Sequence, residues 1–384
     1  MQSGIYISVP FCRSKCTYCN FASGVFSAAQ MGRYVERLIE DMRGIRAYAA
    51  QLGAVIPETA DSIYLGGGTP SLLPPEELKK LFFALRQEFK FLPNAEVTVE
   101  CAPGTLTDQI IHTLVTRGVN RVSLGVQSFV DQEAASVARL HTRAKTLSDI
   151  ERLRKAGISN INVDLIAGLP HQTRESWVYS LDQAIATGVP HVSVYMLEVD
   201  EDSRLGRELI AGGTKYHAHF VPDDDLTAEF YETACARLHA AGIEQYEISN
   251  FARPGFESRH NLKYWTRQPY LGFGLDAHSM LPAAAHLRSR DVESVRLATT
   301  DDYDRYFVAP EWQFSAVTRE QALEEHLFLG LRLNRGLDIE ELRRKFGDFF
   351  KDSENVISQL VTEGLLSSST MNVQLTSRGR LLSN

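Results

Sequence analysis

Apolar and polar positions alternate in short blocks along the first half of the chain. Six runs rich in β-branched residues have the length and composition of strands. They cover residues 4–9, 61–65, 95–100, 120–126, 160–166 and 191–197. Between them lie segments with the apolar spacing of amphipathic helices, at 28–52, 75–89, 107–117, 143–156 and 173–187. The pattern therefore predicts a repeated strand–helix order.

This order predicts an α/β fold with a parallel sheet, either open or curled towards a barrel. Ligands of such folds bind beyond the carboxyl ends of the strands. The unusual residue groups follow the predicted strands: cysteines within 12–19, glycines at 66–68, and polar side chains at Glu100, Gln127 and Asp164. We therefore expect one shared pocket at that edge of the sheet.

The second half of the chain has a less regular pattern. A helix is predicted at 226–241, and the region that follows is rich in Gly, aromatic residues and His. From 318 onward the pattern predicts three helices, short strands at 364–366 and 372–375, and a helical turn, an order that resembles a winged helix. The predicted division is a strand–helix domain over 1–245, an irregular extension over 246–315 and a winged-helix-like domain over 316–384.

Composition is that of a globular protein with a sizeable core. The 384 residues are 44% hydrophobic and 23% charged, with a net charge of −8 at pH 7. This balance offers no basic surface for nucleic acid, and the segment 318–384 is itself close to neutral. The first residues lack a signal-peptide pattern, and no apolar run approaches the ~18 residues of a membrane span. We therefore expect a cytoplasmic protein whose partners are small molecules or proteins.

Three of the five cysteines lie close together. Cys12, Cys16 and Cys19 have the spacing C-x3-C-x2-C, whereas Cys101 and Cys235 stand alone. An odd number of cysteines without a secretion signal disfavours a disulfide framework. Structural zinc normally takes four protein ligands, so three cysteines suit zinc poorly without excluding it. A four-iron cluster on three cysteines leaves one iron open to another ligand, which favours an iron–sulfur cluster that also takes part in chemistry.

The cysteine spacing resembles that of the radical S-adenosylmethionine (SAM) superfamily. In that family SAM chelates the open iron of a [4Fe-4S] cluster, and an electron from the cluster cleaves SAM to a 5′-deoxyadenosyl radical. The resemblance implies a partial (β/α)6 TIM-like barrel. It also implies that a glycine segment meets the methionyl amino group, a strand-end carboxylate takes the ribose hydroxyls and an aromatic residue packs against adenine. The residues so assigned to SAM are Tyr6, Tyr18, Gly67, Gly68, Thr69 and Glu100.

Longer motifs narrow the resemblance. The runs YISVPFC, YLGGGTPS, SLGVQSF, RLH and NVDLIAGLP begin at positions 6, 64, 123, 139 and 162. They resemble the oxygen-independent coproporphyrinogen III oxidase (HemN) superfamily across essentially the whole chain, which implies that the C-terminal module is a HemN-type domain. By the same resemblance Gln127, Arg139 and Asp164 are SAM-pocket residues.

Two departures separate the chain from the oxidases themselves. The oxidases have a fourth cysteine, C-x3-C-x2-C-x-C, where this chain has Phe21, and an N-terminal extension for which Cys12 leaves little room. Instead the run HNLKYW at 260–265 resembles the H-N-x-x-Y-W signature of the HemW branch, the heme chaperones. An imidazole can ligate heme iron, and aromatic rings can cover a porphyrin face. The candidate heme residues are His260, Tyr264 and Trp265, with His278 as a weaker alternative ligand.

Three functions follow from these resemblances. The leading hypothesis is a heme chaperone that binds heme, a [4Fe-4S] cluster and SAM, and delivers heme to respiratory apoproteins of the membrane without spanning the membrane itself. The alternative is an oxidase that converts porphyrinogen propionates to vinyl groups, which the two departures disfavour. The third is a radical SAM enzyme with another substrate, such as a methyltransferase or a cyclopropane-forming enzyme. No catalytic residue and no oligomeric state is predicted.

Overall fold

The structure is a computed structural model that describes residues 1–201, 203–308, 312–369 and 371–383. Within these residues the strands of the first half fall where the sequence predicts them. The main sheet contains β1 Gln2–Val9, β2 Thr59–Gly67, β3 Lys90–Cys101, β4 Arg121–Gln127, β5 Asn160–Ala167, β6 His191–Met196, β7 Glu244–Gln245, β8 Asn250–Ala252, β9 Tyr270–Phe273, β10 His278–Pro282, β11 Val292–Ala298 and β12 Gln313–Thr318. A small second sheet contains β13 Leu337–Asp338, β14 Leu366–Ser368 and β15 Asn372–Leu375.

Up to residue 240 the described residues form eight α-helices. Six of them lie within two residues of the predicted bounds, whereas those at Asp131–Ser136 and Arg204–Ala211 are not predicted by the sequence pattern. The eight helices are α1 Ala28–Gln51, α2 Pro75–Glu88, α3 Asp108–Thr116, α4 Asp131–Ser136, α5 Arg143–Lys155, α6 Arg174–Ala186, α7 Arg204–Ala211 and α8 Asp224–Ala240. The second half adds α9 Arg259–Trp265, α10 Ala285–Arg288, α11 Tyr303–Val308, α12 Arg319–Gly330, α13 Ile339–Phe346, α14 Phe349–Thr362 and α15 Ser377–Leu381. Across the described ranges, no helix combines the length and the apolar character that a membrane crossing requires.

The main sheet follows the order β12-β11-β10-β9-β1-β2-β3-β4-β5-β6-β8-β7. Strands β1 to β6 are parallel and sequential, with the intervening helices as crossovers. The far edge of β6 pairs with β8 and does not close onto β1. This is the partial, six-stranded parallel barrel that the sequence predicts.

Side chains of the parallel strands alternate between two environments, as residues along a strand do. The outward set is apolar and buried beneath the helices; in β4 it includes Val122 and Leu124. The inward set is mostly polar; in β4 it includes Arg121 and Ser123. The inside of the curved sheet is therefore a polar chamber, and the apolar core lies between the sheet and the helices.

The segment predicted to be irregular, 246–315, is more ordered than expected. It supplies β8, which extends one edge of the sheet, and β9 to β11, which extend the other edge from β1; the predicted boundary at 315 falls inside β12. These strands are short, and β9 pairs with β1, more than 250 residues earlier in the chain. Local periodicity does not reveal such pairing, because the stabilising partner is remote in sequence.

The C-terminal segment has the predicted winged-helix arrangement. Helices α12, α13 and α14 pack around a small core, and β13, β15 and β14 form an antiparallel sheet. The segment contacts the barrel through polar links: Asn334 N donates to Tyr246 O at 3.0 Å, and Arg267 Nε donates to Glu325 Oε2 at 2.7 Å. It is thereby held beside the amino end of the parallel strands.

Candidate functional site

The polar inner face of β1 to β6 encloses a cavity of about 940 Å³, which we call the lumen. Its upper end is formed by loops that follow the carboxyl ends of the strands. Its floor is formed by α9, which packs against their amino ends. The lumen volume lies near the top of the ~300–1,000 Å³ range of small-molecule sites, so the lumen is large enough for a sizeable organic ligand.

The cysteine loop, residues 12–19, closes the upper end. Cys12, Cys16 and Cys19 all line the lumen, and all three thiols are free. Cys12 N donates to Gly24 O at 2.8 Å, which fixes the start of the loop. Burial raises the pKa of the Cys12 thiol. A metal that binds this thiol would have to displace its proton, because the thiolate is the metal ligand.

The spacing of these thiols bears on the kind of metal centre. Within the described ranges, no three His, Cys, Asp or Glu side chains come close enough to share one metal ion. Structural zinc normally takes four protein ligands, so a set of three thiols suits zinc poorly. A four-iron cluster on three cysteines leaves one iron for another ligand, so the donor set at Cys12, Cys16 and Cys19 is compatible with a [4Fe-4S] cluster.

The glycine segment after β2 packs against the start of the cysteine loop. Gly68 N donates to Val9 O at 2.9 Å, and Thr69 N donates to Phe11 O at 2.7 Å. A Cβ on Gly68 would lie 2.8 Å from both carbonyl oxygens. Gly67 has φ = +97°, a conformation that glycine adopts without the usual steric cost. The backbone crossing itself therefore requires these glycines, in addition to any ligand that approaches them.

Two of the carboxylates that line the lumen are predicted SAM residues, Glu100 from the end of β3 and Asp164 from β5. Tyr64 Oη donates to Glu100 Oε1 at 2.8 Å. Ser123 Oγ and Asn162 Nδ2 donate to Asp164 at 3.0 and 2.7 Å. Burial raises the pKa of Glu100 to about 7; the Tyr64 hydrogen bond opposes this rise, and the charge of Asp164 adds to it. Both carboxylates are thus fixed on the lumen wall, where ligand hydroxyl groups would reach them.

Three further predicted SAM residues meet beside the cysteine loop. Arg139 Nη2 donates to Tyr18 Oη at 3.2 Å. A Cβ on Gly125 would lie 3.2 Å from Arg139 Nη2 and from Gln127 Nε2, so these side chains converge over Gly125. Burial raises the pKa of Tyr18, against the charge of Arg139, and its hydroxyl therefore stays protonated at neutral pH. The upper end thus combines an aromatic ring, an amide and a cation.

Most of the predicted SAM residues share the lumen wall. Those that line it are Tyr18, Gly67, Gly68, Thr69, Glu100, Gln127, Arg139 and Asp164. Tyr6 lies one layer behind, with its ring stacked on Tyr64 at 6.1 Å between centroids. The structure thus brings eight of the nine predicted positions to one surface.

Helix α9, which carries the HNLKYW run, is anchored to the amino ends of β2 and β3. Lys263 Nζ lies 2.7 Å from Asp61 Oδ1. The backbone N–H groups of Arg259 and His260 donate to the Glu96 carboxylate at 3.1 and 3.2 Å. Glu96 therefore satisfies the free donors at the start of the helix and complements its dipole.

His260 is held as an internal part of this floor. Its ring is 1% exposed, with Nδ1 3.0 Å from Ser62 Oγ and Nε2 2.9 Å from Tyr264 Oη. It stacks on Tyr64 at 5.3 Å. Burial lowers the pKa of His260 to about 3, with Lys263 adding to the effect, so the ring is neutral. In this arrangement the ring presents no free nitrogen, and the geometry does not support direct ligation of heme iron by His260.

Other residues of α9 do reach the lumen. Asn261, Tyr264 and Trp265 line it. Trp265 Nε1 is buried without a hydrogen-bond partner among the described residues, and the Arg332 guanidinium stacks on the Trp265 ring at 4.4 Å. His278 is exposed at the start of β10, outside the lumen wall. The aromatic candidates thus face the cavity, whereas the two histidine candidates do not.

A polar network in the middle of the lumen consists largely of residues that the sequence motifs do not predict. Asn162 Nδ2 donates to Ser123 Oγ at 2.7 Å and to Ser193 Oγ at 2.9 Å. Asn162 Oδ1 lies 2.6 Å from His191 Nδ1, and His191 Nε2 lies 3.0 Å from Tyr246 Oη. The sequence signal for these positions is the polar–apolar alternation of RVSLGVQ, NINVDLIA and HVSVYM in β4, β5 and β6.

Comparison with known families agrees with this site. A model described as the radical SAM superfamily matches residues 6–184, which carry the cysteine loop and the SAM-pocket positions. A model described as the HemN C-terminal domain matches residues 317–382, which contain α12 to α15. Fold and site together define a radical SAM protein with a HemN-type C-terminal domain.

Full-length relatives make the assignment more specific. The heme chaperone HemW of Bacillus subtilis (strain 168) is 34% identical over 99% of this chain and 96% of its own length. That of Lactococcus lactis subsp. lactis is 32% identical over 99% and 94%. The chain belongs to the HemW family. Its fold also matches the solved structure of the radical SAM enzyme coproporphyrinogen III oxidase (HemN) from Escherichia coli, with a TM-score of 0.81 at 22% identity, covering 100% of this chain and 88% of the other.

Proposed function

We propose that this protein is a cytoplasmic heme chaperone that binds heme in the lumen, beneath a [4Fe-4S] cluster with SAM, and delivers heme to respiratory apoproteins. The observation that carries the proposal is a single lumen running from three free cysteines to an aromatic floor, in a chain whose full-length relatives are named heme chaperones. The sequence relationship supports the heme cargo, and the lumen gives it a place to bind.

The chain's own residues at the upper end would hold the cluster and SAM. Cys12, Cys16 and Cys19 would bind three irons, and the cluster when bound supplies an electron to SAM. Glu100 and Asp164 would accept hydrogen bonds from the nucleoside hydroxyls, because both are held on the lumen wall as acceptors. The remaining SAM contacts would come from the convergent group around Arg139.

The porphyrin would contact the lumen face of α9. Tyr264 and Trp265 present aromatic surface there, and flat aromatic surface suits a porphyrin. His260 supports this face, since its Nε2 lies 2.9 Å from Tyr264 Oη. In this proposal His260 is a positioning residue, and it would have to break both of its hydrogen bonds to reach iron.

Heme titration of the reconstituted protein tests whether the porphyrin binds at the lumen face of α9. Trp265→Leu removes aromatic surface from the lumen, and we expect heme affinity to fall about 10-fold, in line with ~1–2 kcal/mol for a buried aromatic contact. His278→Leu is the matched control outside the lumen and should leave affinity unchanged. Equal affinity of wild type and Trp265→Leu, with both folded, would place heme elsewhere.

A second candidate function is porphyrinogen oxidation. The observation that favours it is the fold match to E. coli HemN over the whole chain. An oxidase would consume SAM in proportion to vinyl product, whereas a chaperone would bind and release an unchanged porphyrin. The two functions therefore differ in a product that can be measured directly.

A further inference from the structure

Three cations line the lumen, Arg121, Arg139 and Arg332, and they differ in how their charges are compensated. Arg139 donates to Tyr18 Oη at 3.2 Å and lies in the field of the cysteine thiols. Arg332 lies 3.5 Å from the Glu247 carboxylate. Arg121 has no such partner: in the described part of the chain its guanidinium makes no hydrogen bond and no ion pair.

The isolation of Arg121 is costly, because the residue is only 1% exposed. Arginine is charged at every physiological pH, so it cannot escape burial by losing a proton. A buried charge normally has a counter-ion or a full set of hydrogen bonds. Its Nε is buried without an acceptor. A side chain left in this state on a cavity wall is prepared for an anion from outside the chain.

Arg121 lies well below the upper end of the lumen, which the cysteine loop closes. Its position in β4 is level with Thr98 and Asn160 in the neighbouring strands, and through them with Tyr6 in β1. Tyr6 precedes Val9, the end of β1, by three residues, which is about 10 Å along a strand. An anion at Arg121 therefore belongs to a ligand in the lower lumen, separate from groups that bind beside the cysteine loop.

The surrounding charges select the kind of anion. Glu100, Asp164 and Glu247 also line the lumen, so a doubly charged phosphate would meet repulsion there. Burial raises the pKa of Asp164, but the charge of Arg121 opposes this rise, so the two groups attract each other. The Asp164 oxygens are hydrogen-bonded to Ser123 and Asn162, however, and among the described residues no ion pair joins Asp164 to Arg121. A single carboxylate matches one planar guanidinium, which can bind it through two parallel hydrogen bonds.

We propose that Arg121 binds a propionate carboxylate of the porphyrin at the inner end of the lumen. This inference rests on the proposed heme binding and specifies how the ligand is oriented. One acidic edge of the macrocycle points to Arg121, and its aromatic body lies against the wall formed by Tyr264 and Trp265. Arg121 is thus a specificity residue that distinguishes a free acid from a neutral porphyrin.

The test compares hemin with its dimethyl ester, in which both propionates are neutral, on the cluster-reconstituted protein. Wild type should bind the free acid at least 10-fold more tightly than the ester. Arg121→Gln should lose about 10- to 100-fold of free-acid affinity, as expected for a charge-assisted hydrogen-bonded pair, and should leave ester affinity unchanged. The free-acid preference should therefore disappear in the variant.

Controls separate this role from a structural one. Arg154→Gln removes one exposed positive charge outside the lumen and should behave as wild type. Arg121→Lys keeps a charge without the planar fork and should recover part of the free-acid preference. Without ligand, Arg121→Gln should be as stable as wild type or more so, because it removes an uncompensated buried charge.

The outcomes also separate failure of this inference from failure of the proposed function. Wild type that binds acid and ester equally, or Arg121→Gln that keeps the preference, would overturn the Arg121 assignment while heme binding stands. Loss of acid and ester affinity to the same extent would show a structural role for Arg121 and also overturn the assignment. Wild type that binds neither compound would overturn both the heme proposal and this inference.

Discussion

The upper end and the floor of the lumen are both rich in polar residues, but they use polarity differently. At the upper end, Cys12, Cys16 and Cys19 have free thiols, and Arg139 and Gln127 converge on the cavity. At the floor, His260 and Lys263 of α9 are paired with side chains of α9 or of β2, as the two hydrogen bonds of the His260 ring show. The first region presents free thiols to the cavity, whereas in the second the His260 ring is held between β2 and Tyr264 and the aromatic residues of α9 face the cavity.

A histidine in a sequence motif is therefore not automatically a metal ligand. His260 carries the strongest chemical suggestion in its motif, yet its ring links β2 to Tyr264. The residues of the same helix that reach the cavity are aromatic or amide side chains. Substitutions at the two ends should therefore produce different kinds of loss.

The largest expected effect is at the cysteine loop. Replacing Cys12, Cys16 and Cys19 together by Ala should abolish the [4Fe-4S] cluster, since no other thiol lines that loop. Iron, acid-labile sulfide and the brown absorbance of the reconstituted protein measure the loss. Cys101→Ala and Cys235→Ala are controls and should keep the cluster; a triple variant with full iron content would refute the ligand assignment.

The next effect is on folding, at the floor. His260→Ala leaves the hydroxyls of Ser62 and Tyr264 without a partner and opens a cavity beneath Tyr64. We expect a loss of about 2–4 kcal/mol in the free energy of unfolding, measured by urea denaturation. His278→Ala, at an exposed position, should change it by less than ~0.5 kcal/mol.

The heme spectrum of His260→Ala tests whether the floor supplies a ligand to the heme iron. If His260 only positions Tyr264, the spectrum of bound heme in His260→Ala should keep the wild-type iron ligation, even where affinity falls. A change of axial ligation that is absent in His278→Ala would instead make His260 a ligand, and the floor would then resemble the upper end in function.

A smaller effect, dependent on pH, is expected at Glu100. Its pKa is raised to about 7 by burial, above the value near 4.5 that it has when unfolded. The folded state therefore holds a proton that the unfolded state has released, and Glu100 makes the protein less stable as pH rises from about 4.5 to 7. Glu100→Gln removes this dependence.

Urea denaturation at pH 5 and pH 8 measures that effect. The free energy of unfolding of Glu100→Gln, relative to wild type, should increase by on the order of 1–3 kcal/mol from pH 5 to pH 8. Glu40→Gln, at an exposed position on α1, is the matched control. A constant difference between Glu100→Gln and wild type would contradict the raised pKa.

The smallest expected effect is at Gly67. A side chain there would both strain the backbone and obstruct a ligand that approaches it. Gly67 and Gly157 have nearly the same φ, +97° and +95°, but a Cβ on Gly157 would meet nothing within 4 Å. Alanine at either position should cost about 1 kcal/mol in stability. SAM affinity should fall in Gly67→Ala alone, and equal SAM affinity in the two variants would remove Gly67 from the SAM site.

Much of the upper end can be predicted from sequence because its elements are local. The six strands are apparent as short β-rich runs, and the cysteine and glycine groups follow them directly, so the pattern predicts the parallel sheet and the pocket edge. The partial barrel is predicted only through the resemblance to the radical SAM superfamily. The floor cannot be predicted in this way. Helix α9 has seven residues, and its place is set by Asp61 and Glu96. Glu96 lies 164 residues before its partner His260, and Asp61 lies still earlier in the chain.

The environment of Arg121 can be predicted only in part from the sequence. Its alternation with Val122 in β4 indicates an inward position, but sequence alone does not show whether an acidic partner lies opposite. Only the three-dimensional arrangement reveals that Arg121 lines the cavity and that, among the described residues, its Nε has no hydrogen-bond partner. Ion pairs across a barrel join side chains that are distant in sequence, and sequence motifs do not predict such pairs.

In the proposed function the lumen holds an unchanged porphyrin as cargo. The most direct measurement is anaerobic incubation of the cluster-reconstituted protein, under reducing conditions with SAM, in parallel with heme and with coproporphyrinogen III. The account predicts saturable heme binding and no protoporphyrinogen IX. Vinyl product formed together with stoichiometric 5′-deoxyadenosine would contradict the account and establish the oxidase.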